Sequence, residues 1–450
     1  MRIFYLSEPF DGALGYDWQH KRLSGSAEPT AEAHTRLHLH STRDRDLRDA
    51  LYFASPYEWT MLARLFVEEK RSQSLHLLSA ASTEKLLAGS GMPLNLGPLQ
   101  ESGEPAALLI DRLDALRRPD TDTLRIGVIN ISHLAFGDTI LSLTFLRELH
   151  RQLTEACPRV ELVLFQRAYI PDTERLYARC GFVHAIRDLP APLSELLACD
   201  GYLDLSVTRR EYRELPWIDT RFKGVGLDPA AIPAYRKRNQ VSIDPQAACD
   251  VAPAVAAARA SGRPLLLFHG QASTGIRSFP AEHTAPLIDA LLDDTNHTIV
   301  TLVPIAYDHP RVLDWSTQSR SFDHFIALIA AVDAFVSVDT SLYHIADAFD
   351  VPGVVIFTSN LPEQWITYYP FMTGVALQRG NRLLGTHDSA DPDDVSFARA
   401  LWQRLDVKEV RAALDAAIQS RAAANSRSRH PGHTSPAAAA DCSSRSTPSY

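Results

Sequence analysis

The sequence is short of several things, and each shortage closes off a class of function. Its 450 residues include five cysteines, Cys157, Cys180, Cys199, Cys249 and Cys442, which are odd in number and show no CxxC spacing. That pattern predicts neither a disulfide framework nor a structural zinc site, and it fits a reducing compartment. No uninterrupted apolar stretch is long enough to span a bilayer, and Met1–Leu6 is too short an apolar run for a secretory leader, so a cytoplasmic protein is expected. Basic charge is also lacking. The formal net charge is −9 with no Lys/Arg stripe to offset it, which argues against a nucleic-acid partner.

What is present is an alternation of strand and helix patterns over most of the chain. The length predicts two or three domains. Residues 1–120 read as an N-terminal extension, partly helical. Arg2–Leu6 is a candidate strand, and helices are expected over Leu47–Glu69, with a break at Pro56, and over Ala107–Arg117. His34, His38 and His40 invite a metal reading if the first two share a helix face, but with no cysteine near them a solvated segment is the better reading. Pro119–Asp122 reads as a linker.

From Leu124 short apolar runs alternate with amphipathic helices, the signature of βαβ units and a parallel sheet. Strands are expected over Leu124–Ile131, Val160–Phe165, Val183–Ile186 and Gly201–Leu205, with helices over Gly137–Leu153 and Asp172–Arg179. Prolines gather between Arg209 and Ala260, marking the passage to a second domain. There the alternation resumes with strands Pro264–Phe268, His297–Val303, Ala334–Val338 and Gly353–Phe357, and helices Ala281–Leu292, Phe322–Ala331 and Thr340–Phe349. A long amphipathic helix over Ser396–Ser420 is predicted to close the fold. The expected division is 121–250 for the first Rossmann-like domain, 251–420 for the second and 421–450 for a disordered tail poor in large apolar residues. The fold class is thus α/β, two doubly wound domains with an interdomain cleft plus the extra N-terminal region.

Three strand-end stretches go beyond fold. Ile129–Leu141 ends a strand in small residues and opens a helix with Gly137-Asp138. His269–Pro280 offers two glycines, hydroxyls and one cation, a composition suited to a phosphate. Val336–Asp347 is a strand, a polar turn with Asp339 or Thr340 as N-cap, and a helix whose first N–H groups can hold an anion. In this order and spacing, from about Leu124 to about Pro370, the stretches resemble glycosyltransferase family nine, the ADP-heptose:lipopolysaccharide heptosyltransferases. Asp204-Leu205, after Gly201-Tyr202, is similar to the family's Asp-hydrophobic-hydrophobic-Asp strand, although Asp200 is followed here by glycine.

The resemblance implies a GT-B fold and inverting, metal-independent transfer of a sugar from a nucleotide diphosphate donor. ADP-heptose is the expected donor, with no further cofactor. The acceptor is expected to be a glycan such as lipopolysaccharide core, which is compatible with peripheral docking at the inner membrane. Asp138 falls where the family has its catalytic base. A carboxylate there can take the acceptor's proton, and a helix N-terminus favours its ionised form; a plain first-turn acid is the alternative. Arg277 falls at the family's phosphate-contacting lysine, before Phe279-Pro280, with Ser273 and Thr274 in the same loop. Asp339, Thr340 and His344 match the family's donor-binding Asp-Thr-Gly-x-x-His, with Ser341 in place of the glycine, and all four are expected to be donor contacts. Thr340 and the N–H groups of Ser341 and Leu342 would hold the diphosphate. His344 would donate to it or serve as a structural histidine. Asp308 would bind ribose hydroxyls or simply start a helix. Phe357-Thr358-Ser359-Asn360 stands where relatives often show Phe-Gly. Trp217, Arg209, Arg210 and Arg213 are candidates for an anionic acceptor, against a solvated charged loop. Other functional readings are a hydrolase or epimerase of the same fold and a non-catalytic nucleotide-sugar-binding scaffold.

Overall fold

The computed structural model describes residues 2–6, 13–17, 22–24, 34–38, 51–54, 75–77, 94–95, 122–129, 135–167, 171–189, 191–205, 215–293, 295–377, 379–386 and 389–428. The chain divides into two compact units, one of residues 1–211 and 218–236, the other of residues 212–217 and 237–450. The boundary expected at residue 250 lies inside the helix Pro245–Arg259. That helix packs against the helix Phe322–Ala330 of the second unit.

In the first unit a sheet runs in the order Val183–Leu189, Arg159–Arg167, Thr123–Ile129, Gly201–Asp204, Leu94–Asn95, and every neighbouring pair is parallel. Leu124, Ile126, Val128 and Ile129 are all buried. Burial on both faces is why this strand reads as a nearly continuous apolar run. From Thr123–Ile129 the next strands in sequence step away to one side, and Gly201–Asp204 joins on the other. The strand order therefore reverses between these two, where Ile129 pairs with Asp204. The helix Phe136–Ala156 follows from that switch point, the place where open α/β sheets bind ligands.

The N-terminal region departs from expectation. Leu51–Ala54 is a strand, not part of a helix, in an antiparallel sheet ordered Ala191–Pro192, Leu51–Ala54, Arg2–Leu6, Leu75–Leu77. Tertiary packing decides it: Phe53 is fully buried, with its ring edge-on to Phe165 at 5.0 Å. Arg2–Leu6 forms the strand expected of it. His34–His38 is a strand paired with Ala13–Asp17. The rise of an extended chain sets His34 and His38 about 13 Å apart, so the spacing that a helix would bring to one ligand sphere does not do so here. The helix expected over Ala107–Arg117 lies outside the described residues, as does His40.

The second unit contains one parallel sheet of six strands: Val312–Asp314, Thr298–Thr301, Leu265–His269, Ala334–Val338, Gly353–Phe357 and Met372–Ala376. Numbered by sequence within the unit the order is 3-2-1-4-5-6, that of a dinucleotide-binding Rossmann sheet. The switch point lies between Leu265–His269 and Ala334–Val338, whose ends pair at His269 and Ser337. The two outermost strands escaped the sequence reading. Val312–Asp314 is only three residues long and half exposed, and Met372–Ala376 carries Gly374 and a single buried residue. Their edge positions ask for little of the periodicity that marks a core strand.

The closing helix is two helices, Pro392–Trp402 and Val407–Ser428, rather than one over Ser396–Ser420. Local capping makes the break. Asp391 accepts from Asp393 N–H at 2.8 Å, with Pro392 next to it, and Asp406 accepts from Lys408 N–H at 2.8 Å. The helix also overruns the expected start of a disordered tail at 421; residues 429–450 lie outside the described set. Against the expectation of unpaired cysteines, Cys249 is disulfide-bonded, with a partner outside the described residues, while Cys157, Cys180 and Cys199 are free thiols. Among the described residues no helix is long and apolar enough to cross a membrane.

Adjacent inner strands of the second sheet approach closely at Gly353. A Cβ there would stand 2.3 Å from Phe335 Cδ1 and 2.5 Å from the Phe335 carbonyl oxygen. Gly353→Ala is expected to lower unfolding stability by about 1–3 kcal/mol, the usual cost of overpacking. Urea denaturation checks this, with a shifted midpoint and an unchanged m-value expected.

Candidate functional site

The switch point of the second sheet gathers the loop after Leu265–His269, the turn after Ala334–Val338 and the turn after Gly353–Phe357. The five residues Ala334–Val338 are all buried. Asp339 and Thr340 then lead into the helix Ser341–Ala348, with Thr340 as N-cap at φ −152°, ψ 177°; its hydroxyl makes no capping hydrogen bond. The first N–H groups of a helix lack partners within it and point outward with the positive end of the dipole. Ser341 occupies the first helical position, and among the described non-glycine residues Asp350 alone has positive φ. The backbone at Ser341 therefore makes no conformational demand for glycine.

The loop His269–Pro280 is folded tightly onto itself. Phe279 N–H donates to the Gly270 carbonyl at 2.7 Å, and a Cβ on Gly270 would lie 2.9 Å from Phe279 Cβ. Ser278 accepts from Ala272 N–H at 3.1 Å and donates to the Thr274 carbonyl at 2.9 Å. Thr358 donates to the Ile276 carbonyl at 2.7 Å, tying the loop to the end of Gly353–Phe357.

These restraints aim Arg277. Its Nε donates to Thr274 Oγ1 at 3.2 Å, Nη2 to Ser273 Oγ at 2.7 Å and Nη1 to the Asp339 carbonyl at 3.2 Å. Three of the five guanidinium N–H groups are thereby used. One on each terminal nitrogen is left, the fork that matches two phosphate oxygens.

Asp339 holds the other side. The residue is 3% exposed, and both oxygens are bonded within the protein: Oδ1 accepts from the Tyr343 hydroxyl at 3.0 Å and Oδ2 from Asn360 Nδ2 at 2.6 Å. Arg277 Nη1 stands 3.8 Å from Oδ2. The carboxylate thus serves to place Arg277, Tyr343 and Asn360. Burial, with Asp339 close by, pushes the Tyr343 phenol well above its ordinary pKa.

His344 lies buried on the same helix, its Nδ1 2.7 Å from the Tyr369 hydroxyl and its ring 4.1 Å from that of Tyr343. Burial pulls its pKa down to about 3, so the ring is neutral at pH 7. Leu342 is fully buried and offers its backbone N–H alone. Ser273 is exposed and Thr274 half-buried.

The other predicted residues are more scattered. Asp308 is exposed, on the stretch that follows Thr298–Thr301. The neighbouring Tyr307 hydroxyl bonds Asp289, and that contact raises the phenol to about 12. Asp138 is in the first turn of Phe136–Ala156 in the first unit, half-buried, behind an N-cap, Ala135, that makes no side-chain hydrogen bond. The loop 130–134 before it is outside the described residues, as are Arg209, Arg210 and Arg213. Trp217 is only 2% exposed and stacks on Trp365 at 6.1 Å, so it is a packing residue rather than an accessible acceptor contact. Among the described residues no group of three or more His, Cys, Asp or Glu side chains could hold a metal ion.

Sequence reasoning passed over Tyr343 and Tyr369, and read Thr358 and Asn360 only as a departure from Phe-Gly. A signal for the last two was present, since three polar residues directly after a buried strand must find partners at its carboxyl end.

Two outcomes follow from this network. Asn360→Ala leaves a buried carboxylate oxygen without its closest donor and is expected to cost about 1–3 kcal/mol, read by chemical denaturation. His344 has a folded pKa of about 3, against 6.5 ordinarily. The stability that its neutral form contributes is therefore complete above pH 6.5 and lost as the pH falls towards 3. In His344→Gln the loss of stability between pH 6.5 and 4 should be shallower by up to one proton's slope, ~1.4 kcal/mol per pH unit.

Comparison with known proteins places this geometry. Residues 235–384 match the family model for glycosyltransferase family 9 (heptosyltransferase). No curated protein matches the sequence. Among solved structures, a family 9 glycosyl transferase from Veillonella parvula is similar at 12% identity and TM-score 0.45, over 66% of this chain and 97% of that one. ADP-heptose lps heptosyltransferase II of E. coli is similar at 15% identity and TM-score 0.41, over 62% and 99%. The iron-containing dodecameric glycosyltransferase TibC of enterotoxigenic E. coli is similar at 13% identity and TM-score 0.42, over 66% and 76%. Likenesses this distant attach none of those proteins' substrates or metals to this chain. The matched segment, a third of the chain, contains every residue of the Arg277–Asp339 network, and its match to the family 9 model supports a glycosyltransferase.

Proposed function

We propose that the protein transfers a sugar with inversion from a nucleoside diphosphate donor, ADP-heptose, to a hydroxyl of a glycan such as lipopolysaccharide core, as a cytoplasmic enzyme. The observation that carries the reading is Arg277. A guanidinium with two unpaired N–H groups, held beside the N-terminus of Ser341–Ala348 at a sheet's switch point, is built for a diphosphate.

The chemistry needs two things from the protein. As the bond between the anomeric carbon and the diphosphate oxygen breaks, negative charge grows on the leaving nucleotide. Arg277, the Thr340 hydroxyl, the N–H groups of Ser341 and Leu342, and His344 meet that charge without rearranging. The incoming hydroxyl must lose its proton as it attacks from the opposite face, and Asp138 takes it. Supporting the second role is Asp138's own position, in the first turn of a helix that starts at the first sheet's switch point. Asp308 and the exposed Ser273 complete the donor contacts, at the ribose and phosphate ends respectively.

Melting the protein with ADP, UDP and GDP tests the donor class, because a ligand bound to the folded state raises the melting temperature with its concentration. ADP is expected to give the largest rise, and no rise with any of the three would refute the reading. Arg277→Met should weaken ADP binding about tenfold or more, the worth of a lost charge-assisted contact. Asp138→Asn should keep ADP binding and lose about 10²–10⁴-fold in transfer rate, read as heptose release into product; full activity in that variant would remove Asp138 from the mechanism.

A further inference from the structure

Behind the Ser341–Ala348 helix a chain of hydrogen bonds ends on His344. Asn239 Nδ2 donates to the Tyr369 hydroxyl oxygen at 2.7 Å, and that hydroxyl lies 2.7 Å from His344 Nδ1. The three side chains are buried, at 2%, 4% and 3% exposure. A phenol carries one hydrogen. Of the two hydrogen-bond partners of that hydroxyl, the Asn239 amide nitrogen can only donate and His344 Nδ1 can accept, so the hydrogen is directed to Nδ1, the bare nitrogen. The neutral imidazole then carries its own hydrogen on Nε2.

The rest of the surroundings hold this arrangement in place. Asn239 N–H donates to Asp347 Oδ2 at 2.8 Å, and Arg238 Nε donates to Asp347 Oδ1 at 3.0 Å, so the backbone carrying Asn239 is pinned to the same helix as His344. The Tyr369 ring stands edge-on to the His344 ring at 5.8 Å and 85°, with the Tyr343 ring 4.1 Å away on its neighbour. Turning the imidazole over would require opening this cluster.

Resting on the functional reading above, we propose that Tyr369, oriented by Asn239, is a positioning residue that fixes His344 as the Nε2–H tautomer, making the ring a hydrogen-bond donor for the diphosphate. The opposite tautomer would offer Nε2 as a lone pair, which repels an anion. Nothing in the reaction is transferred by Tyr369; it selects which nitrogen of its neighbour holds the hydrogen.

The test reads the tautomer directly. The full chain is labelled with ¹⁵N-histidine, His344 is assigned by its disappearance in His344→Gln, and long-range proton–nitrogen correlations show which ring nitrogen is protonated. In the ligand-free wild type Nε2 should carry the hydrogen and Nδ1 be bare throughout pH 5–8. Tyr369→Phe should give averaged tautomers and raise the dissociation constant for ADP about tenfold. Asn239→Asp, whose carboxylate would claim the phenol's hydrogen, should move the imidazole hydrogen to Nδ1; if this variant does not fold, Tyr369→Phe decides. A wild-type ring protonated on Nδ1, or a tautomer unchanged by Tyr369→Phe, would overturn the proposal. The expected tautomers with no ADP binding to the wild type would support the positioning role and refute the functional reading instead.

Discussion

A single buried carboxylate organises the second unit's ligand edge. An ionised group taken out of water is tolerated only when partners replace its hydration, and Asp339 finds them on other segments. Asn360 comes from the turn after Gly353–Phe357, Tyr343 from the helix that Asp339 itself introduces, and Arg277 from the loop after Leu265–His269. Three strand ends are thus tied through one side chain. The arrangement spends the negative charge on internal partners and leaves the positive one, Arg277, with N–H groups to spare. An edge built this way favours anions before any substrate is considered.

Much of this was legible beforehand. The buried strands at 265, 298, 334 and 353 are continuous apolar runs, and the helices between them carry apolar residues at helical spacing. Two of the three strand-end motifs, His269–Pro280 and Val336–Asp347, lie within residues 235–384, which match the model of the family they resembled. Arg277 and the Asp339–His344 turn do come together at the switch point. What periodicity could not show was which polar side chains face ligand and which face protein. Asp339, expected at the donor, has each oxygen bonded to a side chain of the protein. Thr358 and Asn360 read as a missing glycine and proved to be the donors that fasten the loop and the carboxylate. Ser341, which stands in place of the family's glycine, has ordinary helical backbone.

The misreadings at either end share one cause, local pattern overruled by partners distant in sequence. Leu51–Ala54 has apolar residues that suit a helix, yet Phe53 is claimed by Phe165 and its backbone by Arg2–Leu6 and Ala191–Pro192. The division of the C-terminal helix had a local signal in Asp391-Pro392 and Asp406, which the longer amphipathic pattern obscured. Trp217 looked available because it follows a charged stretch, but a large aromatic beside a second indole is better satisfied in packing.

The pairing of Leu94–Asn95 with Gly201–Asp204, and of Leu51–Ala54 with Ala191–Pro192, bears on how the chain reaches its fold. Both sheets of Rossmann type are parallel throughout, so no strand in them can close on its neighbour through a tight hairpin, and every rung waits for a distant stretch of chain. During synthesis Leu94–Asn95 and one edge of Leu51–Ala54 leave the ribosome with their eventual partners still unmade. Until residue 204 has emerged, Leu94–Asn95 and the outer edge of Leu51–Ala54 present open hydrogen-bonding groups to whatever is nearby. A chaperone dependence confined to that interval of translation is the kinetic signature such a topology carries.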